Sequence, residues 1–266
     1  MNKYLFLSDV DGTLLRVGIG IAPGVKEAVK KFRDMGGLFT LCTGRSQFST
    51  GWIVKELDID IPCVLYNGAA IYDFGENKFL YASPMSNDVL ETVREVYDSF
   101  PGVSIQVYTK DRIYQVRHNE LLKARGIKEE LGDSLTEINN IHGEILKIVL
   151  ASEDIPMLKR CGEVFKSNAL NFAFSSRRFA EVISAEAGKE KGLFRMAEYF
   201  NVKTEHTFAA GDGMTDLPML KASGFSFAPE SSAKAVLDIC DMIIPPCEDG
   251  GMEKALLTAI DIIMKH

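Results

Sequence analysis

The chain opens with a short, unbroken apolar run, Tyr4-Leu5-Phe6-Leu7, and then places two acids one residue apart, Asp9 and Asp11, ahead of Gly12-Thr13-Leu14. An apolar run of this length without alternation is how a strand buried on both faces reads, and such strands belong to parallel sheets. Acids at the exit of a strand of this kind lie at the carboxyl edge of the sheet, where open α/β folds bind their ligands. In an extended segment residues i and i+2 share a side, so the spacing predicts two carboxylates converging on one point. That convergence is costly unless a cation or a shared proton relieves it. A hard divalent metal relieves it and leaves one carboxylate free for other chemistry. A calcium-binding EF-hand loop also begins with alternating acids, but it needs glycine at its sixth position and a bidentate glutamate at its twelfth. Counted from Asp9, the glycine comes at position four and position twelve is Gly20.

The rhythm that follows supports a doubly wound α/β fold. Pro23 sits at the expected first turn of a helix whose apolar face is Val25, Ala28, Val29 and Phe32, closed by Gly36-Gly37. A second buried-type strand, Leu38 to Cys42, ends in Thr43-Gly44-Arg45, and an amphipathic helix is predicted to about Leu57. A third strand, Cys63 to Tyr66, ends in Asn67-Gly68. This βαβαβ order predicts a parallel sheet with helices on both faces. Near Ser83-Pro84 the pattern changes. A helical segment from about Ser86 to Phe100 precedes alternating runs at Val103–Tyr108 and Ile113–Val116, which suit an antiparallel sheet. Lys123 to Asn140 is polar and carries no periodicity to place it. Further expectations are a strand at Ile145–Leu150, a helix at Met157–Phe165, and strands Phe172–Phe174 and Phe179–Ile183 around the turn Ser175-Ser176-Arg177-Arg178. Residues 84–185 therefore read as an α+β unit inserted into an α/β domain made of 1–83 and 186–266. The parallel pattern returns with a helix from Lys191 through Phe200 and a strand Thr207–Ala210, which runs into Gly211-Asp212-Gly213-Met214-Thr215-Asp216.

A chain of 266 residues, 46% of them hydrophobic, can bury a large core. Its net charge of −7 argues against a nucleic-acid or anionic-membrane surface, so an anionic substrate has to be met by locally placed Lys or Arg. Five scattered cysteines without a Cys-x-x-Cys pair fit reduced thiols in a cytoplasmic protein. The four histidines show no zinc-ligand spacing. The N-terminal apolar run is too short for a signal-peptide core, and no run reaches the ~18 residues needed to span a membrane.

Two acids at Asp9 and Asp11, a hydroxyl at Thr43, a lysine near 191 and acids at Asp212 and Asp216 all fall at strand exits or helix starts of one domain. That set suits phosphoryl transfer, which needs charge neutralisation of the phosphoryl oxygens and an in-line nucleophile. A carboxylate can be the nucleophile, forming an aspartyl-phosphate, while a second carboxylate protonates the leaving group and later deprotonates water. The order of DVDGTLL, Thr43-Gly44-Arg45, Lys191-Gly192 and GDGMTD, running essentially end to end, resembles the haloacid dehalogenase superfamily, and the insert resembles the type-2 cap of its Cof-like sugar-phosphatase branch. The resemblance implies Asp9 as nucleophile and magnesium ligand, and Asp11 as general acid/base whose backbone carbonyl also faces the Mg2+. It implies Asp212 and Asp216 as the remaining metal partners, Asp216 directly or through water. Thr43, with Gly44 and Arg45, would contact the phosphoryl group, and Lys191 would neutralise its charge and that of Asp9. Lys189, two residues earlier, is the alternative for that role, but the Lys-Gly order at 191–192 matches the family better. Arg177 and Arg178 are candidate cap contacts to substrate.

Two positions depart from the branch: Thr215 where asparagine is usual, and Pro229-Glu230 where an Asn-Ala pair is common. They bear on the surroundings of the metal and the substrate, not on a core catalytic group. Asp11 favours enzymes that act on alkyl phosphates, because readily departing leaving groups need no acid there. The expected activity is hydrolysis of a small phosphorylated metabolite. Phosphomutase and non-catalytic phospho-aspartate sensor are the alternatives, and a receiver-type sensor would be about half this length and lack an insert. The identity of the substrate and the oligomeric state have no signal in the sequence.

Overall fold

In a computed structural model, residues 3–16, 18–86, 88–124 and 135–265 are described. The chain divides into two compact units, Met1–Tyr81 with Gly188–His266, and Ala82–Ala187. The limits of 84 and 185 read from the sequence fall just inside the second unit.

In chain order the first unit begins with β1 (Tyr4–Ser8), a two-residue hairpin of β2 (Leu15–Arg16) and β3 (Gly20–Ile21), α1 (Val25–Asp34) and β4 (Gly37–Leu41). It continues with α2 (Gln47–Glu56), β5 (Cys63–Leu65), β6 (Ala70–Asp73) and β7 (Lys78–Ala82). The second unit contributes α3 (Val89–Ser99), β8 (Ser104–Thr109), β9 (Ile113–Arg117), α4 (Glu120–Ala124), β10 (Ile145–Ala151), α5 (Ile155–Ser167), β11 (Asn171–Ser176) and β12 (Phe179–Ile183). The first unit is then completed by α6 (Lys189–Phe200), β13 (Thr207–Ala210), α7 (Leu217–Ala222), β14 (Phe225–Pro229), α8 (Lys234–Leu237), β15 (Met242–Ile244) and α9 (Gly251–Met264).

Five strands of the first unit form a wholly parallel sheet in the order β15-β14-β13-β1-β4. The opening strand is interior, with Leu5 opposite Thr207 on one side and Leu38 on the other. Its residues alternate between two apolar layers. Phe6 lies 5.7–5.9 Å, centroid to centroid, from Phe32, Phe39, Phe208 and Phe227. Leu5 and Leu7 pack instead into a cluster with Val64, Leu193, Met196, Ala209 and Met219. Helices therefore cover both faces, as a continuous apolar strand requires. The face expected for α1 is the buried one: Val25, Ala28, Val29 and Phe32.

The third predicted strand behaves differently from the expectation. Cys63–Leu65 does not extend the five-stranded sheet. It touches Cys42 through one parallel bridge at Val64 and forms its own antiparallel sheet with β6 and β7. Its last predicted residue, Tyr66, has already left the extended conformation at φ 53°.

The second unit is an antiparallel sheet ordered β11-β12-β10-β8-β9. One face carries Ile105, Val107, Ile148, Leu150, Ala180 and Val182, which pack with Val89, Val93 and Val96 of α3 and Leu158, Cys161 and Phe165 of α5. The polar stretch 123–140 lies partly outside the described residues. Among those described, no helix is long and apolar enough to cross a membrane.

Candidate active site

Parallel register brings the exits of β1, β4 and β13 to one edge of the sheet. Asp9 follows β1, Thr43 follows β4, and Asp212 follows β13. Backbone hydrogen bonds fix these exits: Asp9 N–H donates to the Ala210 carbonyl (2.9 Å), Gly211 N–H to Phe227 (3.2 Å), and Thr43 N–H to Val64 (2.9 Å).

The two opening acids do not converge. After Ser8 the chain turns, and the Val10 carbonyl accepts from both Leu14 and Leu15 N–H at 3.0 Å. The i, i+2 rule for an extended segment therefore stops applying one residue before it is needed. Asp9 is buried, at 7% exposure, and points to a lysine. The Asp11 side chain is 46% exposed and is held by Arg45, whose Nε (2.8 Å) and an η nitrogen (2.6 Å) donate one to each carboxylate oxygen. Arg45, expected to contact a phosphoryl group, thus binds the acid opposite it in the sheet edge. Its other η nitrogen donates to the Ser49 carbonyl at 3.2 Å.

The carboxylates that do meet are those of Asp9, Asp212 and Asp216, each placing an oxygen within 4.8 Å of the others. The ammonium among them belongs to Lys189. It is 3% exposed, lies 2.6 Å from Asp9 Oδ1, and also donates to Asp216 Oδ1. This corrects the position that the resemblance gave to Lys191. The helix expected from Lys191 begins at Lys189, with Gly188 as its cap. Gly192 lies inside the helix, where a Cβ would come within 2.4 Å of Val64 Cγ1. Residues i and i+2 of a helix are about 200° apart, so a helix that turns Lys189 inward carries Lys191 away from that direction.

Asp216 brackets the loop in which it lies. Its Oδ2 accepts from the N–H groups of Asp212 (3.2 Å) and Gly213 (2.9 Å), and its Oδ1 accepts from Lys189. Both of its oxygens are engaged, and its carboxylate stays within reach of those of Asp9 and Asp212. Thr13 Oγ1 donates to Asp212 Oδ1 at 3.1 Å. Gly12, at φ 87°, leaves room for that carboxylate, which would stand 2.6 Å from a Cβ. Thr43 is buried, and its hydroxyl accepts from Arg45 N–H at 3.2 Å, so its own proton can be donated to an incoming oxygen.

Electrostatics follow from this crowding. Burial, then Asp216 and Asp212, hold the Asp9 carboxyl well above its usual range, against the opposing pull of Lys189. Burial and Asp216 raise Asp212 to about 6, with the Thr13 hydrogen bond opposing. For Lys189, burial alone would lower the ammonium's pKa, but Asp216 and Asp9 hold it well above the ordinary value. Three acids share one cation, and a second positive charge would relieve them. Their hard oxygen donors suit magnesium, which takes few carboxylates and completes its shell with water and phosphate.

Arg177 and Arg178 lie in the exposed β11–β12 turn of the second unit, where Arg178 pairs with Glu153 at 2.8 Å. The segment Tyr66-Asn67-Gly68, which the sequence marks only as the end of a strand and a turn, adjoins both Thr43 and Gly188. The Asn-Gly pair is a turn signal.

A family profile for haloacid dehalogenase-like hydrolases matches residues 6–256. The chain belongs to the haloacid dehalogenase-like hydrolases. Among its relatives in that family is the Bacillus subtilis 5-amino-6-(5-phospho-D-ribitylamino)uracil phosphatase, 26% identical over 92% of this chain and 93% of the other. Another is the Escherichia coli pyridoxal phosphate phosphatase, 24% identical over 92% and 94%. The fold matches a haloacid dehalogenase-like hydrolase from Bacteroides thetaiotaomicron with TM-score 0.84 at 21% identity, covering 97% of this chain and 99% of that one. Membership in this family, with relatives of this kind, makes the protein a phosphatase.

Proposed function

We propose that the protein is a magnesium-dependent phosphomonoesterase that transfers the phosphoryl group of a small metabolite to Asp9 and then to water. The observation that carries this reading is the buried Asp9 carboxylate, tethered by a lysine that Asp216 holds in turn, beside Asp212 at the exit of a neighbouring strand. A buried carboxylate fixed at one oxygen is oriented for attack without rearrangement, which is what in-line displacement demands. Thr43 donates to a phosphoryl oxygen. Lys189 neutralises charge as Asp9 becomes esterified. Asp11, once released from Arg45, protonates the leaving oxygen and subsequently takes the proton of the hydrolytic water. Asp9 and Asp212 would hold the metal, with Asp216 behind them. Bound there, magnesium would neutralise phosphoryl charge and offset the repulsion among the acids.

The substrate class we infer is a phosphate ester of an alkyl alcohol. An acid at Asp11 is needed when the leaving group is a poor alkoxide, and the two named relatives act on 5-phospho-D-ribitylamino-uracil and pyridoxal phosphate. Five free cysteines fit a reducing, cytoplasmic setting. The test is phosphate release from a panel of phosphorylated sugars, sugar alcohols and vitamin phosphates, with magnesium and with a chelator, and with Asp9→Asn as control. Turnover that survives chelation or the Asp9 substitution rejects the reading.

A further inference from the structure

The exit of β5 has an unusual backbone. Tyr66, Asn67 and Gly68 lie consecutively in the left-handed region, at φ 53°, 54° and 88°. A tyrosine there is a genuine outlier, and strain of this kind persists only where surrounding contacts over-determine it. All three residues are buried, and the contacts that impose the conformation lead to two of the catalytic segments. Asn67 N–H donates to the Thr43 carbonyl at 2.9 Å, and Tyr66 N–H donates to the Arg45 carbonyl at 3.1 Å. The Tyr66 hydroxyl reaches past them to Gln47 Oε1, 2.5 Å away, at the start of α2. On the other side, Gly68 presses on the cap of α6: a Cβ at position 68 would stand 2.0 Å from the Gly188 carbonyl oxygen. Lys189 is the next residue.

We infer that Tyr66-Asn67-Gly68 is a positioning element that locks the Thr43–Arg45 segment to the helix start carrying Lys189. One turn thereby sets the hydroxyl donor and the ammonium relative to Asp9. The inference rests on the phosphatase reading above. The left-handed backbone is what makes the double contact possible. It turns two consecutive N–H groups toward the 43–45 carbonyls while it presents a side-chain-free Cα to Gly188.

Gly68→Ala tests this most directly. The added methyl meets backbone and has no flexible neighbour to displace, so Gly188 and Lys189 must shift. A misplacement on the order of 1 Å costs about 10²-fold in rate, and the expected result is a fall in kcat of that size with KM nearly held. Gly36→Ala is the control for backbone handedness alone, because Gly36 has φ 84° and nothing within 4 Å of a Cβ. It should lower the melting temperature and leave kcat unchanged. The decisive comparison repeats Gly68→Ala in a Lys189→Met background on an aryl phosphate, whose leaving group keeps a residual rate measurable. If the turn acts through Lys189, the further loss there shrinks to under about threefold, since coupled sites are not additive. Equal losses in both backgrounds, or Gly68→Ala within threefold of the parent, overturn the inference. Should Gly68→Ala not fold, Tyr66→Phe is the second arm. It removes one hydrogen bond to Gln47 and should lower kcat by about threefold to tenfold, so an unchanged kcat overturns it. A parent protein inactive on the whole panel defeats the phosphatase reading, whereas an active parent with an innocuous Gly68→Ala defeats this inference alone.

Discussion

Replacing Lys189 by methionine keeps most of the apolar stem of the side chain and removes the ammonium with its two hydrogen bonds. The ammonium is buried against Asp9 and Asp216, which are themselves 7% and 1% exposed. Removing one partner of a buried ion pair typically costs about 3–5 kcal/mol, because the remaining charge stays uncompensated. A domain of this size shifts by about 2–4 °C per kcal/mol, so the first unit should melt about 6–20 °C lower at neutral pH. The pH dependence has a definite sign. Burial and Asp216 already hold the Asp9 carboxyl above its ordinary value, and the variant also loses the ammonium that pulls it down. A carboxyl raised in the folded state contributes stability that is full below its unfolded pKa and disappears as pH climbs through the folded one. The deficit of Lys189→Met should therefore be smallest near pH 4–5 and grow toward pH 8. Thermal melts of the metal-free protein across that range, with Lys191→Met alongside, provide the assay. Lys191→Met should cost no more than about 1 kcal/mol. A Lys189→Met melt within 3 °C of the parent at pH 8, or a larger loss in Lys191→Met, would refute the assignment of the buried cation.

Asp11→Asn should leave magnesium affinity nearly unchanged and slow turnover of an alkyl phosphate by about 10²–10⁴, the range for losing general acid/base assistance. On p-nitrophenyl phosphate the same variant should give a burst of phenolate followed by a slow steady rate, and equal losses in the two phases would make Asp11 a structural acid. Asp212 sits at about 6 in the metal-free protein, and metal binding needs it ionised. Magnesium affinity measured by calorimetry should therefore rise from about pH 5 through about pH 7, and a flat profile would remove Asp212 from the metal site.

Much of the fold was legible because its signals are local. The strand at Thr207–Ala210 and the apolar face of α1 were read to the residue, since burial on both faces of a sheet and on one face of a helix leave distinct periods. The acids, the hydroxyl and the order of the motifs were legible for the same reason. What escaped depends on conformation at single residues. The turn after Ser8 sends Asp11 toward Arg45 rather than toward Asp9, and no periodicity reports a one-residue change of direction. The helix expected from Lys191 begins two residues earlier, and the glycine inside it answers to Val64, 128 positions away in the chain, which leaves no room for a Cβ. Tyr66 was assigned to a strand on composition, since a left-handed tyrosine is imposed by neighbours and not by its own preference.

The pairing of β1 with β13 also constrains how the protein is made. Leu5 meets Thr207, so the interior strand of the sheet emerges first and must wait for a partner near the far end of the chain. At ribosomal speeds of about 5–20 residues per second, the interval is roughly 10–40 s. The second unit is continuous in sequence from Ala82 to Ala187, and all five strands of its sheet lie within that stretch, so it can complete its own sheet during that delay. Until β13 arrives, β1 has an open edge, a hazard for association with other chains. Asp9 and Asp212 cannot meet before then either. No chain that ends before β13 brings Asp9 and Asp212 together, and the acid cluster assembles only when the first and late segments of the polypeptide close the sheet.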